Sequence, residues 1–160
     1  MKSQDQTAKA AAQATTDALK TDISTLLETI KSAGNELGES FGDKDYTDAE
    51  IRTLLRDVSL KYPEIRGVTA CYEPFGFSQE KRLYCPYYNK GNQSYVYVAD
   101  SYDYTIKGSG TAWYTGVVEN CAKWVDPYYG SAAQEWYVDY GVPFYYMSGP
   151  KKGQVRGIID

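Results

Sequence analysis

The chain has 160 residues, a net charge of −4 and a pI near 4.9, enough length for one hydrophobic core and no global basic field to attract nucleic acid or anionic lipid. It contains no histidine, which excludes Ser–His–Asp and Cys–His catalysis and His-based zinc sites. Cys71, Cys85 and Cys121 lack CxxC spacing, so neither a metal nor a cofactor is expected.

No run approaches the roughly 18 apolar residues of a membrane span, and polar residues follow Met1 where a signal peptide would carry its apolar core. The sequence reads as a soluble piece excised from something longer. All seventeen tyrosines and all three tryptophans lie at or beyond Tyr46, and the first forty residues hold no aromatic. That shift divides the chain into a helical part, 1–40, and a folded lobe, 41–160.

Residues 4–37 are predicted to form one long helix. Ala12, Leu19, Ile23, Leu26, Ile30, Ala33 and Leu37 recur mostly at steps of four and three, the pattern of a packing seam. Gly38 is a reasonable stop. Such a helix would be about 50 Å long and would overhang a lobe of this size. Its second half can pack on its own lobe, whereas residues 5–19 suit a partner helix, a homodimer, or a continuation toward a membrane.

A second helix is signalled by "YTDAEIRTLLRDVSLKYP", capped by Thr47 or Asp48, with Ile51, Leu54, Leu55, Val58 and Leu60 on its apolar face and Pro63 at its end. Five strands follow, at 66–74, 81–90, 94–100, 135–148 and 154–160. Between the third and fourth lies "TAWYTGVVENCAKW", short and helix-like, on which Trp113 and Trp124 would share a face. In "WYVDYGVPFYYMS" one face reads Trp136, Val138, Tyr140, Val142, Phe144, Tyr146, and the other reads Tyr137, Asp139, Gly141, Pro143, Tyr145, Met147. The expected class is therefore α+β, with helices first and then a five-stranded antiparallel sheet.

The segments "GVTACYEP" with "RLYCPYYNK", "WYTG" (113–116), "WVDPYYG" (124–130), "VPFYY" (142–146) and "GQVRGIID" (153–160) follow one another as in a Cache domain. These are the PAS-like sensor lobes of bacterial and archaeal receptors. The resemblance covers essentially the whole chain. It implies a long N-terminal helix on one face of a PAS-like sheet and a ligand pocket on the opposite face. It further implies an extracytoplasmic, non-catalytic lobe that binds a small molecule. Membrane anchors and a kinase, phosphatase or chemotaxis output module would lie in flanking segments.

In amino-acid-sensing relatives an arginine two positions before the Trp-Tyr pair grips the ligand carboxylate; here that position is Thr111. An aspartate just after Pro-Tyr-x is replaced by Gly130. The aspartate closing the last strand, which holds the ligand ammonium, is retained as Asp160. The resemblance makes Trp113, Tyr114 and Tyr128 pocket wall; from the residues themselves, Asp139 is a further acidic candidate, and Tyr104 and Tyr102 can line either the pocket or a loop. Without the arginine, Lys107 or Lys123 would have to meet a carboxylate, and the acidic, ring-lined pocket leans toward an amine.

Two bland readings stand beside these: large aromatics fill cores more often than they touch ligands, and Asp160 at a strand end can simply cap a turn. If the first two strands form a hairpin about residue 78, Cys71 falls opposite Cys85; a cross-strand disulfide and three free thiols are both open. The rival functions are a carbohydrate-binding module with a flat aromatic surface and a hydrolase using Asp139 and Asp160 as its carboxylate pair.

Overall fold

Sequence free of aromatics as far as Phe41 produces the first element. The computed structural model describes residues 2–130 and 134–160, and opens with helix α1, Lys2–Asp43, which at 1.5 Å per residue is about 63 Å long. The helix outruns the expected 4–37 because Gly34 and Gly38 do not interrupt it. Both lie on the face packed against the strand Tyr140–Tyr145, where a Cβ at Gly38 would sit 2.9 Å from Val142 Cγ1. Gly38 is thus a packing residue and not a stop. Ala33, Leu37 and Phe41 are the buried side chains of α1, whereas those from Asp5 to Thr25 are exposed, Leu19 and Ile23 included.

Helix α2, Asp48–Lys61, starts at Thr47 through a capping box: the Glu50 N–H donates to Thr47 Oγ1 and the Thr47 N–H donates to Glu50 Oε2. Ile51, Leu55 and Ser59 are buried. Leu60, expected on that face, lies about 140° round the helix from Leu55 and is exposed. Asp48 fastens α2 to the sheet by accepting hydrogen bonds from the Tyr84 and Tyr97 hydroxyls, each 2.7 Å.

The strands are β1 Gly67–Tyr72, β2 Pro86–Asn89, β3 Ser94–Tyr97, β4 Lys123–Trp124, β5 Tyr128–Gly130, β6 Glu135–Tyr137, β7 Tyr140–Tyr145 and β8 Val155–Ile159. Among the described residues they form a six-stranded sheet in the order β3-β2-β1-β8-β7-β4 and a separate β5–β6 hairpin, with every pair antiparallel. The α+β class and the antiparallel sheet match the sequence reading, and the strand count exceeds it.

The extra strands have a definite origin. The predicted strand 135–148 divides at Val138–Asp139, where the pairing partner changes: Tyr137 pairs with Tyr128, but Tyr140 pairs with Trp124. The predicted strand 94–100 ends early because Val98–Asp100 tightens into a 3-10 turn. Of 81–90 only the last part is regular strand, although the Tyr84 and Cys85 carbonyls still accept the N–H groups of Tyr72 and Val98.

Helix α3, Ala112–Asn120, is ended by Cys121 in the left-handed region at φ 67°. Trp124 therefore sits on β4 and shares no helix face with Trp113. Pleating sends Val68, Ala70 and Tyr72 toward α1 and α2, and Thr69 and Cys71 toward α3 and the loops. Two cores result, one on each face of the sheet. Among the described residues no helix is long and apolar enough to cross a membrane.

Candidate functional site

On the face away from α1 and α2, the strand ends leave a hollow. Thr69 stands opposite Tyr87, and its backbone N–H and C=O exchange bonds of 2.8 and 3.0 Å with Asp160. Ile159 belongs to the helix-side core and Ile158 to the opposite one, so the alternation turns Asp160 to the same side as Ile158. The β5–β6 hairpin brings Tyr128 and Tyr137 across from these residues, and α3 supplies Trp113. Together with Val98, Tyr102 and Asp139 they line a cavity of about 240 Å³. That is below the size of drug-binding pockets and suits a compact metabolite.

Missing side chains shape the wall. A Cβ on Gly67 would strike the Tyr87 ring, which therefore lies across bare backbone. A Cβ on Gly130 would come within 2.7 Å of the Tyr137 ring. Tyr87 and Tyr137 then meet through their hydroxyls at 3.3 Å, closing the hairpin onto β2. Outside the cavity, Arg66 donates two hydrogen bonds to Glu135, of 3.0 and 2.7 Å, and ties the hairpin to the start of β1.

The electrostatic centre is a carboxyl pair. Tyr128 donates a 2.5 Å hydrogen bond to Asp139 Oδ2. Burial pushes the Asp139 carboxyl up, and the hydrogen bond from Tyr128 partly offsets this. Burial, with Asp139 beside it, holds Asp160 well above the usual carboxylate range. Asp160 Oδ1 is buried without a hydrogen-bond partner among the described residues, as is the indole N–H of Trp113. Burial raises the hydroxyls of Tyr87, Tyr102 and Tyr128, so the rings stay neutral. No lysine or arginine lines the cavity, and among the described residues no three His, Cys, Asp or Glu side chains group as metal ligands.

Of the seven residues expected at the pocket, the structure brings Trp113, Tyr128, Asp139 and Asp160 together. The other three lie outside its lining. Tyr104 is fully buried, with its hydroxyl donating to the Tyr72 carbonyl at 2.7 Å and accepting from the Tyr84 N–H at 3.2 Å. Tyr114 packs edge-on against Tyr104, ring centroids 4.8 Å apart. Thr111 Oγ1 donates to the Ile106 and Gly108 carbonyls and holds the turn before α3. Lys107 pairs with Glu119 on the surface.

The sequence reading missed Thr69, Tyr87, Val98 and Tyr137. Period two could have found two of them. Tyr137 shares its face with Asp139, and Tyr87 lies two residues from Cys85. The β1–β2 register, Gly67 with Asn89 and Thr69 with Tyr87, continues to place Cys71 opposite Cys85, and the two sulfurs are in bonding contact with their Cα atoms 4.0 Å apart. Cys121 is exposed and free.

Comparison with known proteins fits this geometry. Residues 51–160 match the family model of the methyl-accepting chemotaxis protein-like, first PDC sensor domain. No curated protein matches the chain in sequence. Among solved structures, the extracellular domain of the putative histidine kinase soHK1S-Z6 superposes with a TM-score of 0.70 at 22% identity, covering 84% of this chain and 52% of that one. The sensory domain of the Campylobacter jejuni chemoreceptor Tlp3 (CcmL) with isoleucine bound gives 0.59 at 14% identity, covering 86% and 52%. A methyl-accepting chemotaxis protein X gives 0.65 at 14% identity, covering 93% and 59%. The chain thus spans little more than half the length of these structures. With a family model matched over most of its length, the chain belongs to the first PDC sensor domains of methyl-accepting chemotaxis protein-like receptors.

Proposed function

We propose that this lobe is the extracytoplasmic ligand-binding part of a membrane signal-transduction receptor, and that its cavity takes a small polar metabolite, amine or amino-acid-like. The observation that carries the reading is the ring-lined hollow on the face opposite α1, ending at a buried carboxyl with a free acceptor atom. The acidic end of the hollow and its aromatic faces both favour an ammonium group. The isoleucine-bound chemoreceptor domain supports the class of ligand by analogy of fold.

Contacts between cavity and helix support a relay. Gly141 on β7 backs Asp160, since a Cβ there would lie 3.3 Å from its Oδ1. Its neighbours Tyr140 and Val142 press on Gly34 and Gly38 of α1. A ligand favouring one of two arrangements of β7 would bias α1 with it, and a coupling of about 1–3 kcal/mol would suffice. The Cys71–Cys85 contact suits an oxidising compartment. Equal mass after alkylation with and without prior reduction would remove that support.

The carbohydrate-module reading fares worse. Trp113 is buried, and the exposed Tyr129 and Trp136 rings meet at 72°, which gives no flat platform. The hydrolase reading needs one carboxyl free to act as an ionised base or nucleophile, whereas Tyr128 occupies Asp139 Oδ2 and burial raises both carboxyls.

Thermal unfolding in the presence of a panel of amines and amino acids tests the proposal. At least one compound should raise the Tm by several degrees, and Asp160→Asn should abolish that shift. A panel without effect, or a shift that survives Asp160→Asn and Tyr128→Phe, would refute it.

A further inference from the structure

We propose that the α1 side of the sheet carries a second binding site, a cavity of about 210 Å³ that takes a compact, neutral, apolar molecule of the size of a single alkyl-substituted aromatic ring. The site is distinct from the ring-lined hollow, and it stands whether or not that hollow binds an amine.

A seam in the sheet creates the space. The β5–β6 hairpin does not join the six-stranded ladder; Arg66 and Glu135 tie it to the start of β1 through side chains. Alternation along 136–140 divides the residues between the two sides. Tyr137 and Asp139 border both cavities, whereas Trp136, Val138 and Tyr140 border only the one beside α1. Tyr140 fills its place, its ring 3.2 Å from where a Cβ on Gly34 would stand. Trp136 and Val138 stay at the rim, 73% and 57% exposed, with the indole edge-on to Tyr129. Facing them, α1 presents Ala33, whose single methyl leaves the gap between Ile30 and Leu37 open.

The lining sets the class of occupant. Buried Ala33, Leu37, Val68 and Ile159 make the inner walls, and Val58 and Ile65 extend them outward. Charge is confined to the margins. Glu64 and Arg66 are exposed at the mouth, and Arg66 already spends two hydrogen bonds on Glu135. Asp139 and Asp160 border the wall shared with the hollow, where Asp139 accepts from Tyr128 and the Asp160 main chain is bonded to Thr69. An anion finds no uncommitted cation, and an ion of either sign gives up its hydration for walls that are mostly hydrocarbon. In another protein, an engineered cavity of about 150 Å³ lined by aliphatic and aromatic side chains stays dry and binds benzene. The somewhat larger space here suits benzene with one or two added carbons.

Such an occupant has a direct hold on the long helix. Ile30, Ala33 and Leu37 belong to α1, at the point where its exposed stripe enters the lobe. A molecule in this cavity touches α1 with no strand between, whereas the hollow on the far face reaches α1 only through the sheet.

Toluene is the probe, with benzylammonium and benzoate as charged molecules built on the same ring. Methyl NMR of the 160-residue chain reads the two cavities separately. Toluene should shift the Ala33, Leu37 and Val58 methyls saturably, and more than those of Val98, which lines only the hollow. Benzylammonium and benzoate should bind there at least tenfold more weakly. Val58→Phe fills the space from α2 and should abolish the toluene shifts. Val138→Asp places a charge at the exposed rim; it should weaken toluene tenfold or more with the ligand-free Tm unchanged, and it carries the test should Val58→Phe fold poorly.

The absence of saturable shifts at Ala33 and Leu37 overturns the proposal, as does a charged probe binding there as tightly as toluene. Toluene binding that survives Val138→Asp undiminished overturns it too. An affinity that falls as protein concentration rises would mean that a side chain of a second copy fills the space, which also overturns it.

Discussion

Asp160 tests the cost of this site in the absence of ligand. Burial and the neighbouring Asp139 raise its proton affinity in the folded state. In the unfolded chain an aspartate titrates near 3.9. Between that value and the folded one, the folded state holds a proton the unfolded chain has released, so the fold loses stability as pH rises through the window. The slope is at most about 1.4 kcal/mol per pH unit for one group. Asp160→Asn removes the titration. Urea unfolding should find the variant more stable than wild type at pH 8, with the difference shrinking toward pH 4. Parallel stability curves would contradict a raised carboxyl. At this scale, sequence was a partial guide. Asp160 and Tyr128 could be matched to positions in related lobes, but Tyr102 and Tyr104 could not be separated by residue type. They are two apart, yet Tyr104 spends its hydroxyl on the backbone of β1 and the segment before β2, while Tyr102 lines the cavity. Both fates suit a tyrosine, and only the path of the loop decides.

The junction of α1 with β7 shows what periodicity conveys about an element and what it leaves out. The apolar steps marked a helix and the face it buries, and Thr47 or Asp48 was readable as the start of the next one. The extent of α1 was not, because a glycine near a predicted end reads equally as a stop or as a close approach. Here Gly34, Gly38 and Gly42 occupy one face at four-residue steps against β7 and the residues after it. Their environments differ enough to give opposite outcomes. A methyl at Gly38 would meet Val142 Cγ1 at 2.9 Å, an overpacking worth about 1–3 kcal/mol. At Gly42 the nearest atoms, on Met147, are 3.6 Å away, an ordinary contact. Alanine gains up to about 1 kcal/mol of helix propensity at either position. Gly42→Ala should therefore leave the Tm unchanged or raise it, and Gly38→Ala should lower it by several degrees. Thermal unfolding of the two variants side by side checks the pair, and the same sign for both would mean that α1 does not rest on β7 through its backbone. The split of the predicted strand 135–148 was illegible for a related reason. Alternation runs unbroken through Val138 and Asp139, and a change of pairing partner leaves no mark on a period of two.

For the whole molecule, the proportions of α1 are the informative quantity. A helix about 63 Å long carries side chains from Asp5 to Thr25 that touch nothing else in the lobe closely enough to be covered. Leu19 and Ile23, 56% and 55% exposed, continue the stripe that becomes Ala33, Leu37 and Phe41 where the lobe begins. Isolated helical segments of this kind are marginal in water, and packing against a second apolar face is what normally stabilises them. A second copy of the same helix provides one, with the seam spaced at fours and threes as two-stranded packing requires. The expected behaviour is a concentration-dependent monomer–dimer equilibrium in sedimentation. Leu19→Asp with Ile23→Asp should abolish the dimer. The unfolding of the lobe should shift by no more than about 0.5 kcal/mol, as for exposed positions generally. A dimer that survives both substitutions would move the contact off this stripe. Loss of the folded lobe along with the dimer would mean that the exposed half of α1 contributes to the core after all. The intermediate result, association lost and fold retained, is what the proposed relay requires, since only a seam separable from the lobe could slide or rotate were β7 to move against Gly34 and Gly38.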